Sequence, residues 1–247
     1  MKQKLEEIKK FLKHNSTYNK ELQIQFALRS IGKYNNAFDK LIALLYDTAN
    51  TQSQPKISVL AIFFKDIYKE KNNINSFYSF LKYINNGEFD RNIPFKSLYK
   101  GLKSQKGWGE KTSALFVKNI YNYHYNFQLD KERKELKIWD DVPKINEDDK
   151  LYLPVDSVIK VIFNTLSPAN WTFHNINKSL QSFSNEDIIL FDDLWFWGFI
   201  TQNGTGKNRK LEWNEDKYWM IKDSCKDECT INEIKNKAKS FLELIRG

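Results

Sequence analysis

LKSQKGWGEKTSALFVKNIY, residues 102–121, is the stretch from which the fold is read. Its Gly107-Trp108-Gly109 core is a closely spaced glycine pair between two apolar, helix-patterned runs. Upstream, Phe95, Leu98, Tyr99 and Leu102 recur at three and four residues. Downstream, Ala114, Leu115, Lys118 and Ile120 continue a helical rhythm. Glycine reaches positive φ without a side-chain clash, so the pair allows a tight turn and the stretch reads as helix, hairpin, helix. The second helix starts near Glu110, which turns free N–H groups and a positive dipole end outward. That arrangement suits a phosphate, with Lys96, Lys100, Lys103, Lys106 and Lys111 adding charge around it. The same residues also fit an ordinary corner with solvated lysines.

QKGWGEKTSALFVKNI, residues 105–120, resembles the helix-hairpin-helix signature of the DNA glycosylase superfamily. In the branch with a lysine nucleophile, that lysine stands two residues after the second glycine, the place of Lys111 here. The family's catalytic aspartate opens a later core helix in a Pro-Val-Asp context. This chain has Leu153-Pro154-Val155-Asp156 followed by SVIKVIFNTL. The chain departs from the pattern in two places. Lys106 stands where the family usually has proline, and Val158 where a His is common. The two motifs are also far apart (156 − 111 = 45 residues), which places an insertion between them. The resemblance covers about residues 95–167.

The resemblance implies an all-α, two-lobed architecture with the active-site cleft between the lobes. Lobe A is expected over 1–50 and 155–247, and lobe B over 51–125 with the helix-hairpin-helix at 95–121; 126–154 is the insertion. It implies a bifunctional DNA glycosylase and abasic-site lyase acting on an oxidised or otherwise modified base, 8-oxoguanine first. Lys111 is the implied nucleophile and Asp156 its catalytic partner. Gly107, Trp108 and Gly109, with Lys106 and Lys103, are the implied DNA-binding residues, and Trp108 at the tip either packs under the lobe or lies against the DNA. Trp195, Trp197 and His174 are the candidate base pocket, because aromatic faces can sandwich an extruded base. Three successive aromatics on one helix cannot all face one pocket, so at least one of Trp195, Phe196 and Trp197 belongs to a core. His174 and His124 are candidate acid–base groups or base contacts, and each also reads as a structural histidine. An aspartate ahead of SVIKVI is in addition a strong helix N-cap. A non-catalytic DNA-binding module and a monofunctional glycosylase, with Asp156 activating water, remain alternatives.

Composition is consistent with these expectations. The chain of 247 residues is long enough for a sizeable core, and 15% aromatic residues, with seven Trp and eighteen Phe, argue against disorder. A formal charge of +8 favours a polyanionic partner, here double-stranded DNA, although an AT-rich coding habit also yields many Lys, Asn and Ile. Two cysteines, Cys225 and Cys229, exclude a disulfide framework and cannot hold a four-cysteine iron–sulfur cluster. No metal or cofactor is expected. Without an apolar run approaching a membrane span, the protein is expected to be soluble, cytoplasmic and monomeric.

Along the chain, helices are expected near 2–13, 20–31, 37–48, 57–68 and 74–84. More follow the hairpin: from Asp156 to about Leu166, near 174–183, after a cap at Ser184, and over 230–245. The polar stretch 50–55 reads as a linker or lobe boundary. The insertion reads as a solvated excursion, with its KERKELK run and short strands near Leu136–Trp139 and Lys150–Leu153. Gly204–Lys210 reads as a flexible basic loop.

Overall fold

The computed structural model describes residues 1–127, 136–204, 209–221 and 226–247. It is mostly helical, as the apolar periodicity predicts. The helices are α1 (Lys2–His14), α2 (Ser16–Ser30), α3 (Ala37–Ala49), α4 (Ile57–Lys69), α5 (Phe77–Ile84), α6 (Pro94–Ser104) and α7 (Glu110–Tyr121). After a π-helical turn at Asn122–Asn126 come α8 (Ser157–Leu166), α9 (Phe173–Ser179), α10 (Asn185–Phe191), α11 (Asp193–Ile200), α12 (Glu215–Met220) and α13 (Glu228–Arg246). A two-strand antiparallel ribbon, β1 (Gln202–Asn203) with β2 (Lys210–Leu211), pairs Gln202 with Leu211 and Asn203 with Lys210. Among the described residues no helix is long and apolar enough to cross a membrane. Most of KERKELK, the centre of the Gly204–Lys210 loop and Cys225 lie outside the described residues.

The chain forms two compact units: residues 1–22 with 155–247, and residues 23–154. The first boundary therefore falls inside α2, not in the polar stretch 50–55. The reason lies in packing. α3 packs on α7, Phe38 meets Tyr68 edge-on at 5.5 Å, and Lys40 donates to the Lys137 carbonyl at 3.0 Å, all within residues 23–154. The polar stretch joins α3 to α4 inside the same unit.

The core of unit 1 gathers around Trp197, with the rings of Phe11, Phe196 and Phe241 at 5.2, 5.0 and 6.3 Å. α8 and α11 approach closely because Gly198 has no side chain. A Cβ there would stand 2.6 Å from Val158 Cγ1 and 2.7 Å from Ile162 Cδ1. The core of unit 2 is an aromatic cluster of Phe77, Phe80, Phe95, Phe116 and Trp139.

The insertion is not a solvated excursion. Leu136, Ile138, Trp139, Leu151 and Leu153 are buried, and its described part forms no strand but a belt over unit 2. Two of its acids serve distant helix starts, where first-turn N–H groups need acceptors. Asp141 accepts from Phe77 N at 2.8 Å and Tyr78 N at 3.2 Å on α5. Asp149, 0% exposed, accepts from Phe95 N at 2.7 Å and Lys96 N at 2.8 Å on α6. Burial pushes the Asp149 carboxyl above its ordinary range, while the Phe95 and Lys96 amides oppose that rise. A third tie is His124, whose Nε2 accepts from Ile138 N at 3.3 Å. Burial holds His124 down to about 4; Lys137 and Lys40 push the same way and Asp141 opposes them. His124 is thus a neutral structural acceptor and not an acid–base group.

Two outcomes follow for the belt. Asp149→Ala leaves two α6 amides unpaired and is expected to cost about 2 kcal/mol of stability in urea unfolding. His124 binds its proton near its ordinary value only when unfolded, so its contribution is complete above about pH 6.5 and is lost as pH falls towards 4. The loss is on the order of 3 kcal/mol. The stability gap between the parent and His124→Gln, measured from pH 7 to pH 4, is expected to narrow by that amount.

Candidate functional site

The hairpin forms as the glycines require. Gly107 has φ +85°, and a Cβ on it would fall 2.8 Å from Leu60 Cδ2 of α4, so both conformation and space call for glycine. Trp108 points inward: it is 6% exposed and meets Phe63 and Phe116 edge-on at 5.5 and 6.1 Å. It anchors the hairpin tip from beneath and offers no face to DNA, contrary to its assignment as a DNA-contacting residue. Gly109 is the N-cap of α7 and is exposed, with open space where a Cβ would stand. Its N–H donates to Thr112 Oγ1 at 3.0 Å.

In contrast to α5, α6 and α8, α7 has no side-chain cap. Among the described residues, nothing accepts from its first-turn N–H groups on Glu110, Lys111 and Thr112. Lys111 sits in this turn, half-buried, with Nζ donating to the Thr51 carbonyl at 3.0 Å. Gln52 Nε2 reaches the Gly107 carbonyl at 3.3 Å, so the α3–α4 loop supports the hairpin on both sides. Lys106 is exposed. Lys103 is exposed too, but its Nζ pairs with Glu110 Oε1 at 2.9 Å, which offsets the charge it was expected to lend.

Unit 1 carries the second half of the expected constellation. Asp156 caps α8 as its position before SVIKVI predicts: Oδ1 accepts from Val158 N at 2.8 Å and Ile159 N at 3.0 Å. Its other oxygen, Oδ2, accepts from Trp195 Nε1 at 3.1 Å. The carboxylate is held from both ends. Trp195 is 38% exposed and stacks on Phe199, with centroids 5.0 Å apart and planes 14° apart. Trp197, two residues on, faces the opposite way and is 0% exposed. Its assignment to a base pocket is therefore corrected, since a helix turns about 100° per residue and puts Trp195 and Trp197 on different faces. His174 is exposed on the first turn of α9, and no described hydrogen bond or ring contact joins it to Trp195 or Asp156.

Several contributors escaped sequence reading. Thr51 and Gln52 lie in a stretch that reads as linker. Gly198 alone had a signal, a glycine inside an aromatic helix. Gln202 and Lys217 belong to no motif, and Arg209 lies in the stretch that reads as a flexible basic loop. A groove of about 800 Å³ in unit 2, lined by Tyr46, Leu60, Phe64 and Tyr68, contains none of the expected site residues. No group of three or more His, Cys, Asp or Glu able to hold a metal occurs among the described residues. No protein-family model, curated protein or solved structure matches the chain.

The Asp156 site has two supports of different strength. Trp195→Phe keeps the stack on Phe199 but removes the exposed indole hydrogen bond, and should cost about 0.5–1 kcal/mol. Gly198→Ala drives a methyl into Val158 and Ile162 and should cost about 1–3 kcal/mol. Urea unfolding of both variants checks that order.

Proposed function

We propose that this chain is a monomeric DNA glycosylase with abasic-site lyase activity, acting on duplex DNA that carries a modified base, with 8-oxoguanine the first candidate. The two-lobed helix-hairpin-helix glycosylase architecture is part of the same proposal. The observation that carries it is the start of α7, where a glycine turn leads into an uncapped helix with Lys111 in its first turn. The starts of α5, α6 and α8, by contrast, are closed by aspartates. Open backbone donors at a positive dipole end suit a DNA phosphate.

In this reading the damaged nucleotide is extruded from the duplex, because the reacting C1′ is inaccessible inside the stack. The neutral amine of Lys111 attacks C1′; the C1′–N bond breaks and the base leaves with the bonding pair and gains a proton. The sugar ring opens to an imine on Nζ. Loss of a C2′ proton then expels the 3′-phosphate by β-elimination, and water releases the lysine. Lysine must shed its proton before it attacks, and the Thr51 carbonyl that now holds Nζ must release it. In the same reading Asp156 supplies a fixed negative charge for the cationic sugar. Trp195 orients that carboxylate and offers a half-exposed ring face to the extruded base.

Borohydride trapping on duplexes that each carry one lesion or one abasic site tests this reading. The parent should trap on a lesion. Lys111→Gln should lose trapping and base release while keeping its affinity for DNA, and Asp156→Asn should slow base release by about 10²–10⁴-fold. Trapping of Lys111→Gln equal to the parent would contradict the nucleophile. Base release without trapping in the parent would point to water activated by Asp156, and tight binding without either activity to a binding module.

A further inference from the structure

Beside the Asp156 carboxylate, unit 1 holds two cations on one buried glutamine. Gln202 is 0% exposed, and its Nε2 donates to the Val158 carbonyl at 3.1 Å. Its Oε1 accepts from Arg209 Nη1 at 2.7 Å, and its main-chain carbonyl accepts from Lys217 Nζ. Arg209 Nη2 also donates to Ser157 Oγ at 3.3 Å, on the residue after Asp156. The β1–β2 ribbon sets Arg209 beside this glutamine, and the Asn214 cap of α12 fixes the Lys217 backbone at 2.9 Å.

Every oxygen that these two cations meet among the described residues is neutral. Neither makes an ion pair with a carboxylate among the described residues. Glu212 accepts from Asn203 Nδ2 at 3.0 Å instead. Burial, and after it the charge of Arg209, hold Lys217 below its ordinary pKa. Like charges gathered without a counter-ion raise the free energy of the unliganded fold, and such costs concentrate at binding sites. The guanidinium has five donors and commits two of them among the described residues.

The cations also stand next to a flat apolar surface. Lys217 Nζ lies 5.1 Å from the Phe199 ring centre, and Phe199 stacks on the half-exposed Trp195. A ligand with one anionic group and one planar ring answers both features. A nucleotide in an unpaired strand is such a ligand.

We propose that Arg209 and Lys217 form a phosphodiester clamp that holds the backbone of the nucleotide whose base lies against Trp195. The clamp rests on the glycosylase reading for the identity of the polymer. Arg209 and Lys217 position the strand and take no part in bond breaking.

Fluorescence anisotropy with a duplex carrying a stable abasic-site analogue, titrated from 50 to about 300 mM KCl, separates the two ideas. Arg209→Gln and Lys217→Gln should each weaken binding by about 3–10-fold at low salt. The double variant should reduce the slope of log K against log [salt] by about two, one for each lost phosphate contact. Arg209→Lys and Lys217→Arg, which keep the charges, should keep the slope and so show that the loss is not a folding defect. An unchanged slope in the double variant, with trapping by the parent intact, overturns the clamp and spares the glycosylase reading. Absence of DNA binding by the parent overturns both.

Discussion

A helix leaves its first N–H groups without partners in its own ladder, and the chain around them must supply acceptors or leave them to solvent or a ligand. In this protein aspartates meet that demand at four helix starts. Asp141 closes α5, Asp149 closes α6, Asp156 closes α8 and Asp227 closes α13. The first two reach across more than fifty residues of sequence, so the caps are also the ties that hold the belt on unit 2. Like α4, α7 has no side-chain cap. Its start is a glycine, its first-turn donors stay open among the described residues, and a lysine stands in that turn. The proposed function grows from this contrast between closed and open helix starts.

Asp156 is bonded through both carboxylate oxygens. One oxygen spends its capacity on the α8 backbone, which fixes the carboxylate in direction. The other is shared with the Trp195 indole, and that bond sets the ring at the surface where it stacks on Phe199. The close approach of α8 and α11 at Gly198 makes the bond possible. Around the same helix start, Arg209 bonds Ser157 and shares Gln202 with Lys217. Acid, aromatic ring and paired cations therefore stand on one scaffold, and the net charge of +8 includes a local, arranged component beside its diffuse one.

Local rules carried much of this. The helix spans, the Gly107 turn and the Asp156 and Ser184 caps all depend on residues within a few positions of one another. What stayed hidden depends on partners far along the chain. Asp141 and Asp149 look like surface acids until α5 and α6 are beside them. Trp108 lies between two glycines at a turn tip, where nothing local says that Phe63 of α4 waits beneath it. The stretch 50–55 has the composition of a linker, yet Thr51 and Gln52 brace the hairpin. Trp195 and Trp197 differ only by the turn of a helix. Periodicity separates their faces without saying which one the core occupies, and the Phe11, Phe196 and Phe241 rings decide it.

The most direct test of the account is chemical mapping of the covalent adduct. The parent protein would be reduced with borohydride on a duplex containing 8-oxoguanine or an abasic site, digested, and sequenced by mass spectrometry. The account predicts a sugar remnant on Nζ of Lys111. A remnant on another lysine or on the N-terminal amine, or no adduct on either duplex, would contradict it.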